Sequence, residues 1–375
     1  MSKDNKYIPS GYKPSPLGPI PEEWEVKRLG EICTHFKSGI TITSKDIHED
    51  GLYPVYGGNG LRGYANTFTH DGSYILIGRQ GALCGNVNYV DGKNYISEHA
   101  IAVQTNENMQ WLKYKLENWN LNRFSESSAQ PGLSVEKLVR YKLSVPTLKE
   151  QNKIADILSL WDTAIEKQTA LIEKLTLRKR GLMQQLLTGK KRLKGFSGEW
   201  KEVRLGEVCD LTKGEQVNSE TLTETGLFPV INGGITPSGY KDDYNTEANT
   251  ITISEGGNSC GFVNLIKTKF WSSGHCYTIS NIINFDLIYL YYSLKFAEPH
   301  IMNLRVGSGL PNIQLGSLQK FTLLMPQLEE QKAIAAIIGQ TDKEIEIQKQ
   351  KLAAMQEQKK GLMQVLLTGK KKLII

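Results

Sequence analysis

The fold is decided by a segment that occurs twice: PTLKEQNKIADILSLWDTAIEKQTALIEKLTLRKRGLMQQLLTG at 146–189 and PQLEEQKAIAAIIGQTDKEIEIQKQKLAAMQEQKKGLMQVLLTG at 326–369. Matched residues, such as Pro146 and Pro326 or Gln151 and Gln331, differ by 180 in number. Each copy follows a block rich in glycine and aromatic residues. The sequence therefore predicts a protein built as two halves around a pair of long helices.

Apolar residues in both copies recur at spacings of three and four residues, which is the pattern of a coiled-coil seam. The predicted seam consists of Ile154, Leu158, Trp161, Ile165, Gln168, Ile172, Leu175 and Leu182 in the first copy, and Ile334, Ile338, Ile345, Gln348, Leu352, Met355 and Leu362 in the second. Polar residues interrupt both copies at the same places, Gln168 and Lys179 in one and Gln348 and Lys359 in the other. Such residues cost stability unless they find partners, and they specify register.

Two alternatives concern how these helices pack. An amphipathic face commonly packs on the protein's own domain, but a helix of roughly 60 Å with a sustained 3.5-residue period favours a coiled coil. Parallel and antiparallel pairing are both compatible with the domain that separates the helices. We expect antiparallel pairing, because it brings Gln168 and Gln348 within about one turn of each other and relates the two halves by a pseudo-two-fold axis.

The globular blocks are also duplicated. EEWEVKRLGEIC at 22–33 recurs as GEWKEVRLGEVC at 198–209, and ILIGRQGALCGNVN at 75–88 resembles ITISEGGNSCGFVN at 251–264. Short runs rich in Val, Ile and Tyr predict strands, and helices are expected near 107–122, from Ser134, and near 286–298. The expected fold is α+β: two pseudo-symmetric α/β domains joined by two long antiparallel coiled-coil helices.

The predicted boundaries follow from these repeats. Five of the thirteen prolines lie in residues 1–21, which we expect to form an extended lead-in with regular structure beginning near Glu22. The first domain is expected at 22–145, the first helix at 146–190, the second domain at 191–325 with a linker at 191–198, and the second helix at 326–372.

Composition narrows the function classes. The net charge of +6 permits a polyanionic partner without requiring one. Five cysteines without a C-x-x-C pair argue against a disulfide framework and a zinc site, and the sequence has no apolar run of membrane-spanning length, so a cytoplasmic protein is expected. Phosphate-loop, methyltransferase and H-E-x-x-H motifs are absent, so we predict no catalytic residue and no metal.

His99 and His275 are expected to be paired core positions.

In order and in duplicate, these motifs make the chain resemble the specificity subunit of type I restriction-modification enzymes. The resemblance rests on YKPSPLGPIPEEWEVKRLGEI, PVYGGNGLRGY, ILIGRQGALCGNV, the helix start P-x-L-x-E-Q and the helix end GLMQ-x-LLTGKK, and it spans about 10–372. It implies two target recognition domains that each read one half of a bipartite, asymmetric site in double-stranded DNA. It also implies docking of two methyltransferase subunits and of restriction/translocase subunits. These other subunits, and not this chain, are expected to use S-adenosylmethionine, ATP and Mg²⁺.

Candidate DNA-contacting residues follow from that implication, because Lys and Arg bind phosphates while polar side chains in loops read base edges. The candidates are Tyr56, Asn59, Arg62, Arg79 and Gln80 in the first domain, and Asn232, Thr236, Lys241, Glu255 and Asn258 in the second. Arg305 and Lys320 are further phosphate candidates. A solvent-exposed loop without a DNA role is the alternative for each of them.

Two other functions remain open from sequence. An equivalent subunit could serve a fused nuclease-methyltransferase that cuts on both sides of its site. Alternatively, the chain could be a coiled-coil adaptor whose two domains bind protein and not DNA.

The matched glutamines yield a first prediction. Replacing both Gln168 and Gln348 with leucine should raise the free energy of unfolding and loosen helix register, because a buried polar pair specifies register at the expense of stability. Denaturant unfolding and disulfide trapping between cysteines placed on the two helices measure the two effects. Unchanged stability together with unchanged register would contradict this role.

Overall fold

A computed structural model of the protein describes residues 8–81, 83–125, 132–307, 309 and 311–373. The chain forms two units, Met1–Thr169 with Gln350–Ile375, and Ala170–Lys349. Each unit therefore contains one globular domain and part of each long helix. Residues 1–7 of the predicted lead-in lie outside the described residues.

The domain of the first unit is built mainly from short strands. Its strands are β1 Tyr12–Lys13, β2 Ile20–Pro21, β3 Glu25–Arg28, β4 Cys33–Ser38, β5 Tyr53–Gly57, β6 Gly60–Ala65, β7 Tyr74–Gly78, β8 Val87–Val90, β9 Tyr95–Ile96, β10 Ala100–Thr105 and β11 Lys142–Val145. Its helices are α1 Leu29–Ile32, α2 Met109–Asn118 and α3 Val135–Leu138, and the chain continues into the long helix α4 Leu148–Leu186.

The second unit repeats this order of elements from residue 201. Its strands are β12 Lys201–Arg204, β13 Asp210–Lys213, β14 Phe228–Ile231, β15 Gly239–Lys241, β16 Thr250–Ser254, β17 Val263–Ile266, β18 Trp271–Ser272, β19 Cys276–Ser280 and β20 Thr322–Met325. Its helices are α5 Leu205–Val208, α6 Leu287–Met302 and α7 Leu315–Gln319, and the long helix α8 Leu328–Leu366 follows.

The sheets have the same topology in both units. A four-stranded antiparallel sheet has the order β4-β10-β7-β8 in the first unit and β13-β19-β16-β17 in the second. A three-stranded sheet, β6-β5-β9 or β15-β14-β18, combines a hairpin with one parallel pair. A two-stranded sheet, β3–β11 or β12–β20, pairs the first strand of the duplicated motif with the strand before the long helix. The predicted α+β class and the duplication are confirmed.

A helix packed on the main sheet supplies the centre of each core. In the first unit the side chain of Asn108 caps α2 by accepting a hydrogen bond from the Trp111 N–H, and Trp111 is fully buried. Asp286 caps α6 in the same way. These cores also include apolar residues of the long helices, such as Ile154 and Leu366 in the first unit.

The segments of the two long helices run antiparallel within each unit. In the first unit Glu150 accepts from the Leu373 N–H and Asp162 pairs with Lys359, so numbers rise along α4 as they fall along α8. In the second unit, Arg192 pairs with Glu330 and Lys179 with Asp342, which gives the same direction. The predicted antiparallel arrangement is confirmed. The approach of Gln168 to Gln348, one in each unit, stays a prediction.

The predicted seam residues lie on the covered sides of these helices. Each of the fifteen is buried or half-buried, and Gln168 itself is 6% exposed. Lys179 and Lys359, which interrupt the seam, are half-buried and form the two ion pairs described above.

The P-x-L-x-E-Q motif joins each domain to its long helix. Its glutamate, Glu150 or Glu330, is at most 1% exposed and accepts a hydrogen bond from the indole N–H of Trp24 at 2.7 Å or of Trp200 at 3.0 Å. Its glutamine, Gln151 or Gln331, accepts a backbone N–H bond at the start of α2 or α6. The motif is thus a structural joint, repeated in both units.

The lead-in prediction is wrong for the residues that are described. Strands β1 and β2 pair antiparallel, so regular structure begins at Tyr12 and not near Glu22. Gly11 and Gly18 adopt positive φ of 80° and 94°, which lets the chain turn before β1 and again between β1 and β2. Ile20 is buried in the domain core. Pro21 is buried in this hairpin, while Pro14, Pro16 and Pro19 lie exposed in the connection between its strands.

A buried lysine gives this unit a pH-dependent stability. Lys115 of α2 is 3% exposed, and its amine donates to the Ser144 hydroxyl at 3.0 Å and to the Leu367 carbonyl at 2.5 Å. Burial lowers the pKa of Lys115 to about 7. An unfolded lysine titrates near 10.4, so between these values the unfolded chain binds more protons and stability rises with pH, by up to about 1.4 kcal/mol per unit.

Replacing Lys115 with methionine should remove that rise, because the side chain keeps its length and loses its proton. Urea unfolding between pH 6.5 and 9.5 measures the slope, and the exposed Lys142→Met provides the control. If the wild-type and Lys115→Met stabilities changed in parallel with pH, this account of Lys115 would be wrong.

Candidate nucleic-acid interface

In the first unit the turn between β5 and β6 packs against the ends of β7 and β10. A side chain at Gly78 would come within 2.5 Å of the Gly58 carbonyl oxygen, and one at Gly58 within 3.0 Å of the His99 carbonyl oxygen. Only glycine permits this approach of backbone to backbone. The packing gathers three loops at one end of the two sheets.

All five candidates of the first domain lie in or beside those loops: Asn59, Arg79 and Gln80 are in the loops, Tyr56 is near the end of β5 and Arg62 is near the start of β6. Asn59, Arg62 and Gln80 are exposed, while Tyr56 and Arg79 are half-buried. The stem of Arg62 lies over Gly57, where an added side chain would meet Arg62 Cδ at 2.5 Å. The residues around this loop cluster carry two guanidinium groups, two amides and a phenol, which are groups suited to phosphates and base edges. The Tyr56 ring packs against an apolar cluster that includes Leu76 and Ile96.

The corresponding loops of the second unit contain Asn232, Glu255 and Asn258. The Asn232 side-chain oxygen accepts a hydrogen bond from the His275 N–H at 3.2 Å, and the Ser259 hydroxyl donates to the Gly233 carbonyl at 2.6 Å. Asn258 is exposed beside them. A cleft of about 530 Å³, lined by residues that include Asn218 and Ser238, borders Asn232.

Arg79 and Glu255 occupy the same backbone position in the two units. The N–H of each donates to the carbonyl of a histidine, His99 or His275, at 2.9 Å. The carbonyl of each accepts from the Leu133 or Ile313 N–H and from a cysteine thiol, Cys84 or Cys260. One framework thus holds a half-buried arginine in the first unit and a buried glutamate in the second.

Glu255 is held inside a charged network. It is 8% exposed, and its carboxylate lies 2.5 Å from the Lys213 amine and 3.4 Å from His275 Nδ1. The Tyr277 hydroxyl, which donates to the Ile313 carbonyl at 2.9 Å, lies 3.3 Å from Glu255 Oε1, and burial together with the nearby Glu255 charge raises the pKa of Tyr277 to about 12. The network fixes Glu255 in place and leaves His275 as its more exposed member.

Two candidates of the second domain have different positions. Thr236 is exposed in the β14–β15 turn. Lys241 pairs with Phe228 at the opposite end of that hairpin, where its amine lies 3.3 Å from the centroid of the Trp271 ring and 3.2 Å from Asp243. The structure therefore does not bring Lys241 to the other candidates.

Of the two further phosphate candidates, Arg305 is exposed. Its neighbour Val306 forms a β-bridge with Asn312, and Asn312 also bridges to Gly256, next to Glu255. Lys320 is exposed at the end of α7.

The expectation that His99 and His275 are core positions is wrong. Their side chains are 43% and 58% exposed, and each immediately precedes a buried strand, β10 or β19, at the loop cluster. His99 Nδ1 lies 3.1 Å from Gln80 Oε1, so both histidines contact a candidate residue or its neighbour. In both copies the histidine stands one residue before a strand, which could have indicated an exposed loop position. The alternating apolar residues that follow suggested a buried position instead.

The described residues contain neither a candidate metal site nor a candidate membrane-spanning helix. No group of three or more His, Cys, Asp or Glu that could hold a metal ion is found there. No helix in the same residues is long and apolar enough to cross a membrane. All five cysteines are free thiols, and burial raises the pKa of Cys276, beside His275, to about 11.

Comparison with known proteins decides the family. The family model of the type I restriction modification DNA specificity domain matches residues 21–177 and again 197–357. The chain belongs to this family. Two matches in tandem agree with the internal repeat, and they make the chain a specificity subunit with two specificity domains.

Named relatives include specificity subunits from bacteria and archaea. The EcoprrI specificity subunit of Escherichia coli is 45% identical over 147 residues, which cover 38% of this chain and only 36% of that protein. The MjaVIII specificity subunit of Methanocaldococcus jannaschii is 24% identical over 94% of this chain and 93% of its own.

Solved structures share the fold of this specificity subunit. A crystal structure of a type I restriction-modification S subunit from M. genitalium superposes with a TM-score of 0.66 at 18% identity, covering 94% of this chain and 97% of that one. A chain from a study of complex assembly and conformational transition of a type I system gives 0.60 at 17% identity, covering 94% and 99%.

The contrast between Arg79 and Glu255 leads to a prediction about specificity. Replacing Arg79 with alanine should weaken DNA binding by the assembled complex by about 1–3 kcal/mol and relax base preference within one half-site only. Competition binding against duplexes mutated in either half-site measures both effects. Lys142→Ala, on the β3–β11 sheet, is the matched control for loss of a positive charge. If Arg79→Ala weakened binding equally to every DNA sequence, Arg79 would contact phosphate and would not read a base.

Proposed function

We propose that this chain recognises a bipartite, asymmetric DNA sequence, with one half-site read by each domain, and that it directs an adenine methyltransferase and restriction subunits to that site. The observation that carries the proposal is the matched position of Arg79 and Glu255. The same backbone hydrogen bonds hold opposite charges at one place in two copies of one framework. Two domains with such different loops are suited to reading different bases.

The long antiparallel helices are proposed to act as a ruler between the half-sites. Two readers held at a fixed separation can contact both half-sites only at one spacing and phase, because the duplex turns once in about 10.5 base pairs. The support within each unit is the buried Trp–Glu joint, which ties a domain firmly to the helices.

We further propose that the chain is non-catalytic by itself. The partners would be double-stranded DNA, two methyltransferase subunits and restriction/translocase subunits, with S-adenosylmethionine, ATP and Mg²⁺ used by those other subunits. The support is the family membership, together with a sequence that lacks phosphate-loop and methyltransferase motifs. A cytoplasmic location follows from the same proposal.

Methylation mapping tests the proposal directly. The chain is expressed with its methyltransferase partner in a host without other adenine methylation, and modified adenines are mapped across the genome. We expect one motif with two specified halves around a fixed unspecified spacer. A single continuous motif, or no methylation by an assembled complex, would contradict the proposal.

Two rival functions give different outcomes. If the partner is a fused nuclease-methyltransferase, the purified complex should cut on both sides of the mapped motif. If the chain is only a protein-binding adaptor, a gel shift with the reconstituted complex and random duplexes should reveal no DNA binding.

The ruler makes a prediction of its own. Seven helical residues are inserted after Thr169 and seven more after Lys349, at the boundaries of the two units, so that the contacts within each unit remain. Each insertion adds about 10 Å, which corresponds to about three base pairs at 3.4 Å each. Methylation mapping should show a longer unspecified spacer between unchanged half-sites. Altered half-sites with the original spacer would refute the ruler.

A further inference from the structure

A tyrosine, an aspartate and a lysine from three different helices meet in the first unit. The Tyr114 hydroxyl of α2 donates to Asp162 Oδ2 of α4 at 2.6 Å. The Lys359 amine of α8 lies 2.5 Å from the other carboxylate oxygen of Asp162 and 5.0 Å from the centroid of the Tyr114 ring. We call these three residues the first triad.

The second unit contains the same arrangement with the long helices exchanged. Tyr292 of α6 donates to Asp342 Oδ2 of α8 at 2.7 Å, and the Lys179 amine of α4 lies 2.6 Å from Asp342 Oδ1. Lys179 also lies 5.5 Å from the centroid of the Tyr292 ring. We call Tyr292, Asp342 and Lys179 the second triad.

Each triad fixes three elements at one point. Its tyrosine belongs to the domain, while its aspartate and lysine belong to the two long helices, so one carboxylate ties the domain to both. Burial, followed by the hydrogen bond to the aspartate, raises the pKa of Tyr114 and of Tyr292, so both hydroxyls keep the proton that they donate. Hydrogen bonds to an ionised group are shorter and more directional than neutral ones.

These contacts explain why lysine interrupts the predicted seam at the same place in both helices. An apolar residue at Lys179 or Lys359 would continue the heptad but would leave the aspartate without its cation. Because an incompletely paired carboxylate in a half-buried site costs stability, lysine at this position stabilises the site. The interruption therefore coincides with the point at which each domain meets the helix pair.

The two triads differ in one supporting residue. The Tyr114 hydroxyl also lies 3.2 Å from the Ser159 hydroxyl. Gly339 takes the corresponding position in the second unit, where an added Cβ would lie 3.5 Å from the Tyr292 hydroxyl, so this second hydroxyl contact is lost.

We propose that the two triads are alignment points that set the angle of each recognition domain on the helix pair, and so the spacing between half-sites that the protein accepts. This inference rests on the proposed function and identifies positioning residues for it. A change of one base pair in the spacer moves a half-site by about 3.4 Å and turns it by about 34°. A domain that can rotate about its helices would tolerate such a change.

The test uses the complete complex of chain and methyltransferase, with methylated adenines mapped genome-wide. The variants are Tyr114→Phe, Tyr292→Phe, Asp162→Ala and Asp342→Ala. Selectivity for the wild-type spacer over spacers one base pair longer or shorter should fall about tenfold, equivalent to ~1.4 kcal/mol, with both half-sites unchanged. Asp342→Ala should relax spacing more than Asp162→Ala, because Tyr114 keeps its contact with Ser159.

A charge exchange and a control complete the design. Asp162→Lys combined with Lys359→Asp should recover spacing selectivity relative to either single change, because the ion pair is restored in reverse. Lys360→Ala, which breaks an exposed ion pair with Glu357 beside the first triad, should leave spacing strict.

Strict wild-type spacing in the phenylalanine variants would overturn the proposal. Equal loss of methylation at every spacing would also overturn it, since the triads would then serve only stability. If the wild-type complex itself yields no bipartite motif, the proposed function has failed, which is a separate result.

Discussion

The structure depends on a carboxylate buried at the start of each long helix. Glu150 and Glu330 are almost fully covered, and a buried carboxylate is tolerated only where hydrogen bonds or opposite charge compensate it. The indole N–H of Trp24 or Trp200 supplies one such bond. In the second unit the guanidinium of Arg192 adds a bidentate pair, whereas in the first the Leu373 N–H contributes. Each domain is therefore held at a fixed point of its helix.

Around this joint the two units keep the same framework and differ in what they present. Sheet topology, helix caps and the hydrogen bonds of the loops are repeated, while Arg79 in one unit corresponds to Glu255 in the other. The core differs too, since α2 buries Lys115 against the end of α8. A repeated frame with divergent loops permits two half-site specificities on one scaffold, because recognition depends on loop side chains and positioning depends on the frame.

The long helices and the duplication could be predicted from sequence, because a heptad period and a repeat are local patterns. The structured helices, Leu148–Leu186 and Leu328–Leu366, fall within the predicted segments. The short hairpin of β1 and β2 was missed because five prolines favour extended structure, while the pairing of the two strands and the burial of Ile20 depend on tertiary packing. The exposure of His99 and His275 was missed for a related reason. Alternating apolar residues suggest that the first residue of a strand is buried. Whether it is exposed depends on the loops that surround it in the folded protein. The partners of Lys179 and Lys359 lie on other helices, too far away in sequence for a local pattern to reveal them.

The helix pair is proposed to hold the two recognition domains at one separation and phase. Equilibrium binding of the wild-type complex to a set of duplexes tests it most directly. The duplexes carry both half-sites and differ only in spacer length, from two base pairs shorter than the mapped spacer to two longer. The account predicts a single sharp affinity maximum at the mapped spacer, with losses on both sides that increase with each base pair. Equal affinity across the set would contradict it.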